Sequence, residues 1–161
     1  MAEPTRTRLV DLLDYSPETG VFFWKKRTGR CSAGKPGGTV TKWGYVRIRI
    51  DGRPYAAHRL AFLWMTGSIP PEVDHINGDR ADNRWANLRP ATNQQNKWNR
   101  VVQSRSRTGV KGVCGRTDGR FEVHIRRDGT NKYIGSYRTL AEAKSAYDTL
   151  AREIHGEFFR A

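Results

Sequence analysis

The chain has 161 residues with 29 Lys and Arg against 16 Asp and Glu, a formal net charge of +13 and a pI near 10.3, and 37% of its residues are hydrophobic. That apolar share excludes a wholly disordered chain and leaves room for one ordinary domain or two small ones. The positive excess works against compaction and calls for a polyanionic partner, with nucleic acid the commonest. A membrane partner is not expected, because no run approaches ~18 apolar residues and no helical pattern joins a basic face to a broad apolar one.

The two cysteines, Cys31 and Cys114, are far apart and form no C-x-x-C pair, which argues against a disulfide scaffold and a zinc finger. The opening M-A-E-P-T-R-T-R-L-V-D has no apolar signal core, so the expected setting is a reduced cytosol.

In chain order, Leu9, Leu12 and Leu13 predict a short helix ended by Asp14-Tyr15-Ser16-Pro17. V-F-F-W around Phe22 reads as a strand. In 45–50, Val46, Ile48 and Ile50 alternate inward with Arg47 and Arg49 outward, and Asp51-Gly52 predicts a hairpin to the residues around Tyr55. A-H-R-L-A-F-L-W-M-T-G predicts a helix with Leu60, Leu63 and Trp64 on one face and Gly67 as its stop. His58, at the start of that helix, is expected to be a capping or buried structural residue.

Residues 72–100 concentrate polar chemistry. A strand-like start at Val73 leads into a loop rich in Asn, Asp and Gly, and then Asn87-Leu88-Arg89. Thr92 and Gln95 form a capping box that opens a helix over 93–100. Adjacent residues on a strand point to opposite sides, so of Asp74 and His75 one can hold a metal while the other faces the reacting centre. Asn96 meets Asp74 if the helix packs back on the hairpin. One carboxylate and one amide oxygen suit Mg²⁺, which keeps most of its ~6 positions for water and phosphate oxygens. His75, with an ordinary pKa near ~6.5, suits proton abstraction at neutral pH. Asn77, Asp79, Asp82 and Asn83 read as turn formers, and Trp85 and Trp98 as packing residues.

The pieces V-D-H-I-N-G-D, D-N-R-W-A-N-L-R and Q-Q-N-K-W-N-R closely resemble the HNH nuclease family, whose motif runs D-H … N … H/N. E-T-G-V-F-F-W and Y-A-A-H-R-L-A-F resemble the N-terminal part of its bacteriophage and intron-borne homing branch. The resemblance implies Asp74 and Asn96 as ligands of a divalent metal (Mg²⁺, with Mn²⁺ the alternative), His75 as general base, and Asn87 as the central Asn that braces the loop. Asn93 and Asn99 are the alternative registers for Asn96.

From Asn93 to Gly112 the composition turns basic with no acid, the mark of a linker. Beyond it, strand patterns at 110–116, 120–126 and 131–137 are separated by Asp118-Gly119 and Asp128-Gly129. A helix closes the module, with Thr139 and Glu142 as capping box and Gly156 as its end. K-G-V, G-R-F-E-V-H-I-R, Y-I-G-S-Y and T-L-A-E-A-K-S-A-Y-D resemble the plant ethylene-response-factor (Apetala-type) DNA-binding domain, which reads the major groove with a sheet. The resemblance implies Lys111, Arg116, His124, Arg126 and Tyr133 on the DNA face. Cys114, Asp118 and Asn131 depart from that family's usual Arg, Trp and Arg, so its sequence preference does not transfer.

The expected protein is α+β. A ββα-metal nuclease domain (1–100, motif 72–100) is joined by a basic linker (101–107) to a three-stranded antiparallel sheet packed on one helix (108–161). Its expected activity is site-preferring, homing-type nicking of double-stranded DNA, in the host cytoplasm if phage-encoded; no protein partner is implied. The rivals are a non-catalytic DNA-binding regulator and a structure-specific phage nuclease.

Overall fold

The computed structural model describes residues 4–29, 31–99, 106–127 and 129–160, in two units, 1–96 and 97–161. In the first, helix α1 (Arg6–Leu12) starts at Thr5, whose hydroxyl accepts from the Arg8 N–H at 3.2 Å. Where the sequence predicts the helix to continue through Leu13 and end in a cap, Leu13–Ser16 is instead strand β1, antiparallel to β2 (Val21–Trp24). The reason is burial at period two: Leu13 and Tyr15 point inward while Asp14 is exposed. The turn between these strands contains Gly20 at φ +73°, where a Cβ would lie 2.3 Å from the Arg84 nitrogen. Only glycine permits that approach.

Strand β3 (Pro36–Gly37) edges β2, and β4 (Thr39–Val40), β5 (Val46–Ile50) and β6 (Arg53–Ala56) form a second sheet in that order. Ile48 and Ile50 are buried and Arg47 and Arg49 exposed, as the alternation predicts. Asp51 and Gly52, both at positive φ, make the β5–β6 turn. Helix α2 (Ala57–Thr66) ends on left-handed Gly67, whose N–H returns to the Leu63 carbonyl at 3.0 Å. Its Leu60 and Leu63 join Leu9, Leu13, Phe22, Ile48 and Ile50 in one apolar core, with Trp85 packed against it.

Next come β7 (Glu72–His75), a 3₁₀ turn (Trp85–Asn87), β8 (Leu88–Ala91) and α3 (Asn93–Trp98). β7 and β8 pair antiparallel, setting Asp74 opposite Arg89 and His75 opposite Leu88. The Thr92–Gln95 box is formed both ways, at 2.8 and 3.2 Å. The predicted helix reached residue 100, which lies outside the described residues, as do 101–105 of the predicted linker.

The second unit begins earlier than the sequence suggests. Trp98 stacks on His155 at 4.4 Å, and the Trp98 carbonyl accepts from Lys111 Nζ at 2.8 Å. Strands β9 (Val113–Gly115), β10 (Phe121–Arg127) and β11 (Thr130–Tyr137) form an antiparallel sheet in the order β11-β10-β9. Its Val113, Val123 and Ile125 pack on Ala143, Tyr147 and Ala151 of α4 (Leu140–His155). The Thr139–Glu142 capping box is present, and Gly156 caps the other end. Asp128 of the predicted Asp-Gly turn lies outside the described residues. Gly112 lets the chain pass so close to the sheet and helix that a Cβ would lie 2.3 Å from the His124 carbonyl oxygen.

Burial pushes the His155 pKa down to about 4, with the Lys111 charge adding to the effect. The unfolded chain, at ~6.5, therefore binds a proton that the folded unit resists. This contribution is whole above ~6.5 and is lost as pH falls toward 4, at up to about 1.4 kcal/mol per pH unit. Melting should consequently drop between pH 7 and pH 4.5, and His155→Phe should flatten that drop. An identical pH slope in the variant would contradict the assignment.

Candidate active site

Strand β7 carries Asp74 and His75 side by side, and both are buried, at 4% and 5% exposure. Asp74 Oδ2 accepts from Arg89 Nε at 2.9 Å and Nη2 at 2.7 Å, a buried pair created by the β7–β8 register. His75 Nε2 lies 3.3 Å from Asn83 Oδ1. Asn83 donates from Nδ2 to the Ala81 carbonyl at 2.9 Å, so its Oδ1 is the acceptor toward the ring. His75 thus carries its hydrogen on Nε2 and its lone pair on Nδ1. Burial lowers the His75 pKa, opposed by the Asn83 hydrogen bond and by Asp74, Asp82 and Asp79.

Asn83 is itself fixed by the β1–β2 hairpin. The Tyr15 hydroxyl donates to the Asn83 carbonyl at 2.6 Å, and the Trp85 N–H donates to the Pro17 carbonyl at 2.9 Å. The turn geometry and local hydrogen bonds expected of Asn83 leave out its hold on His75. No spacing rule signals such a bond, because the path of the loop creates it.

Asn87 clasps the intervening loop. Its Oδ1 accepts from the Asn77 N–H at 2.9 Å and its Nδ2 donates to the Asp82 carbonyl at 2.8 Å. Asn77 and Asp79 cap backbone N–H groups two residues on, at 2.8 and 2.9 Å. Asp82, bonded to Arg84, has its pKa pulled down to about 2.

Asn96 is half-buried on α3, its N–H bonded to the Thr92 carbonyl at 3.0 Å. Of the alternative registers, Asn93 is exposed and Asn99 belongs to the second unit. The Asp74 and Asn96 oxygens are hard donors, whose chemistry fits Mg²⁺ or Mn²⁺ better than a thiolate-seeking ion.

His58 is buried, and the N-cap of α2 is Ala56, with no side-chain cap bond, so of its two expected roles the structural one holds. Its ring stands edge-on to His75 at 5.0 Å, with Tyr45 against it at 5.5 Å. Burial drives its pKa down to about 3.

In the second unit the sheet face away from α4 presents Glu122 and His124 half-buried, with Arg126 and Tyr133 exposed. Tyr133 packs edge-on to His124 at 5.5 Å. Arg116 is bonded to Asp118 Oδ2 at 3.1 Å and to Glu122 Oε1, while His124 Nε2 lies 3.5 Å from Glu122 Oε2. Lys111 stands apart from these residues. Its half-buried ammonium donates to the carbonyls of Trp98 and Arg160 at 2.8 and 3.0 Å.

Residues 55–97 match the HNH endonuclease family, a span that includes Asp74, His75, Asn87 and Asn96 and leaves the second unit almost wholly outside. A protein of Acanthamoeba polyphaga mimivirus, named as the uncharacterized HNH endonuclease L560, is 33% identical over 120 residues, 73% of this chain. The chain spans 62% of that relative's length. The structure of the HNH homing endonuclease I-HmuI aligns at a TM-score of 0.44 and 22% identity, covering 76% of this chain and 71% of that one.

Proposed function

We propose that the protein is a metal-dependent, HNH-type DNA endonuclease, site-preferring, of the homing type and nicking. The observation that carries this reading is His75, buried with Nε2 3.3 Å from Asn83 Oδ1, beside Asp74 within the family-matched segment.

In this reading His75 Nδ1 takes the proton of the attacking water, and the Asn83 bond to Nε2 fixes the ring and stabilises the imidazolium that forms. Asn87 keeps the 77–82 loop closed, which holds Asn83 in place. Asp74 and Asn96 would hold the divalent cation, which when bound neutralises charge on the phosphodiester and its departing oxygen. One such site hydrolyses one strand, so a single chain nicks.

Double-stranded DNA is the substrate that the charge fits. The second unit supplies site preference through Arg116, His124, Arg126 and Tyr133, arginine favouring guanine by a bidentate pair worth about 1–3 kcal/mol. Because Glu122 and Asp118 occupy Arg116, the substitution Glu122→Gln should raise duplex affinity about threefold and steepen its salt dependence. Unchanged binding in a salt titration would remove this face from the interface. Mapping cut ends on a randomised duplex library tests the whole reading. Single-strand cuts clustered at a site are expected; binding without cuts would favour the regulator, and cuts only at branches or flaps the structure-specific nuclease.

A further inference from the structure

Arg89 faces Asp74 across the β7–β8 register, and the two are 8% and 4% exposed. Arg89 Nε and Nη2 both donate to Asp74 Oδ2, at 2.9 and 2.7 Å. A buried ion pair is a costly filling for a small hairpin: both ions lose hydration, and apolar residues of similar volume often stabilise as much or more. Apolar neighbours were at hand, since Val73, Leu88 and Ala91 are buried on the same two strands. The endonuclease reading gives the carboxylate a use as a metal ligand. It gives Arg89 none, yet Arg89 sets a full positive charge 2.7 Å from that ligand.

Ligand charge decides how tightly an oxygen site retains a divalent ion, and Mg²⁺ dehydrates reluctantly. Asp74 supplies one negative charge, Asn96 none, and Arg89 one positive charge, so the three together are neutral. One carboxylate set against a guanidinium holds such an ion poorly. The carboxylates of the neighbouring loop are engaged in loop bonds. Asp82 is bonded to Arg84 at 2.6 Å and to Asn77 at 2.8 Å, and Asp79 accepts from the Ala81 N–H at 2.9 Å. A bound duplex changes the balance, because its phosphates bring negative charge and further hard oxygen donors.

We propose that Arg89 is a positioning residue that fixes the Asp74 carboxylate and, by its charge, keeps the cation affinity of the bare site low, so that the site fills on DNA and stays nearly empty off it; this rests on the reading of Asp74 and Asn96 as metal ligands. The planar fork of the guanidinium orients the carboxylate through two bonds to one oxygen, which a lysine cannot reproduce, whereas the charge effect needs only a cation. The two contributions of Arg89 are therefore separable by substitution.

The test is Mn²⁺ binding to the full chain, with free Mn²⁺ counted by electron paramagnetic resonance, in a His75→Ala background that keeps the duplex intact. Without DNA the Arg89 chain should bind Mn²⁺ weakly, and a short duplex should tighten it about tenfold or more after subtraction of Mn²⁺ held by duplex alone. Arg89→Gln should bind Mn²⁺ about tenfold tighter than the Arg89 chain without DNA, and Arg89→Lys should stay as weak as the Arg89 chain. Arg89→Gln leaves a buried carboxylate short of two bonds, so its folding is followed by melting; Mn²⁺ should raise its melting temperature more than that of the Arg89 chain. Arg89→Gln binding Mn²⁺ no tighter than the Arg89 chain, or Arg89→Lys tightening as much as Arg89→Gln, overturns this role alone. Equal Mn²⁺ affinity of the Arg89 chain with and without duplex also overturns it, and needs no variant at Arg89. An Arg89 chain that takes up no Mn²⁺ even with duplex overturns the metal-ligand reading of Asp74 and Asn96, and the proposal with it.

Discussion

His75→Ala is expected to lower DNA cleavage by about 10²–10⁴-fold while leaving duplex affinity within about twofold. In the proposed role the imidazole acts on water and does not hold phosphate, so its removal should raise the barrier to hydrolysis and leave binding free energy nearly unchanged. The variant should also fold, since the T-shaped contact with His58 and the bond to Asn83 are local. Asn83→Ala should fall between the parent and His75→Ala, because it releases the ring without deleting it. Cleavage by His75→Ala within a few-fold of the parent would remove His75 from the mechanism, whatever the behaviour of Asn83.

Asp74→Ala is expected to destabilise the first unit by about 3–5 kcal/mol as well as abolish cleavage. The cause is Arg89, which is buried against Asp74 Oδ2 and would lose that charged, hydrogen-bonded partner. Replacing both, as Asp74→Ala/Arg89→Met, should recover much of the stability and none of the activity. Asn96→Ala lacks this complication: it should fold like the parent and need more Mg²⁺ for the same rate. Urea unfolding and a Mg²⁺ titration separate the two effects. If Asp74→Ala unfolds like the parent, the buried pair contributes nothing; if Asn93→Ala and not Asn96→Ala changes the Mg²⁺ requirement, the helix register is wrong.

What the sequence revealed was what local chemistry determines. The Asp51-Gly52 hairpin, the Gly67 stop, both capping boxes and the β9–β11 sheet with its helix depend on residues a few positions apart. β1 escaped because Leu9, Leu12 and Leu13 satisfy a helical period, while the alternation that makes Leu13–Ser16 a strand spans only four residues. In the site, the adjacency of Asp74 and His75 was legible. The bonds from Arg89 to Asp74 and from His75 to Asn83 were not, because strand register and loop path set them across 15 and 8 residues. Nor does a pattern of basic residues reveal that Arg116 is taken by Glu122, or that Lys111 holds two backbone carbonyls.

The most direct test of the account is conversion of supercoiled plasmid by the purified chain with Mg²⁺, run beside His75→Ala and beside an arm with excess chelator. The account predicts open-circular product from the parent with Mg²⁺ only, little or none from His75→Ala, and none in chelator. Relaxation that persists in chelator, or that proceeds equally well in His75→Ala, would contradict it.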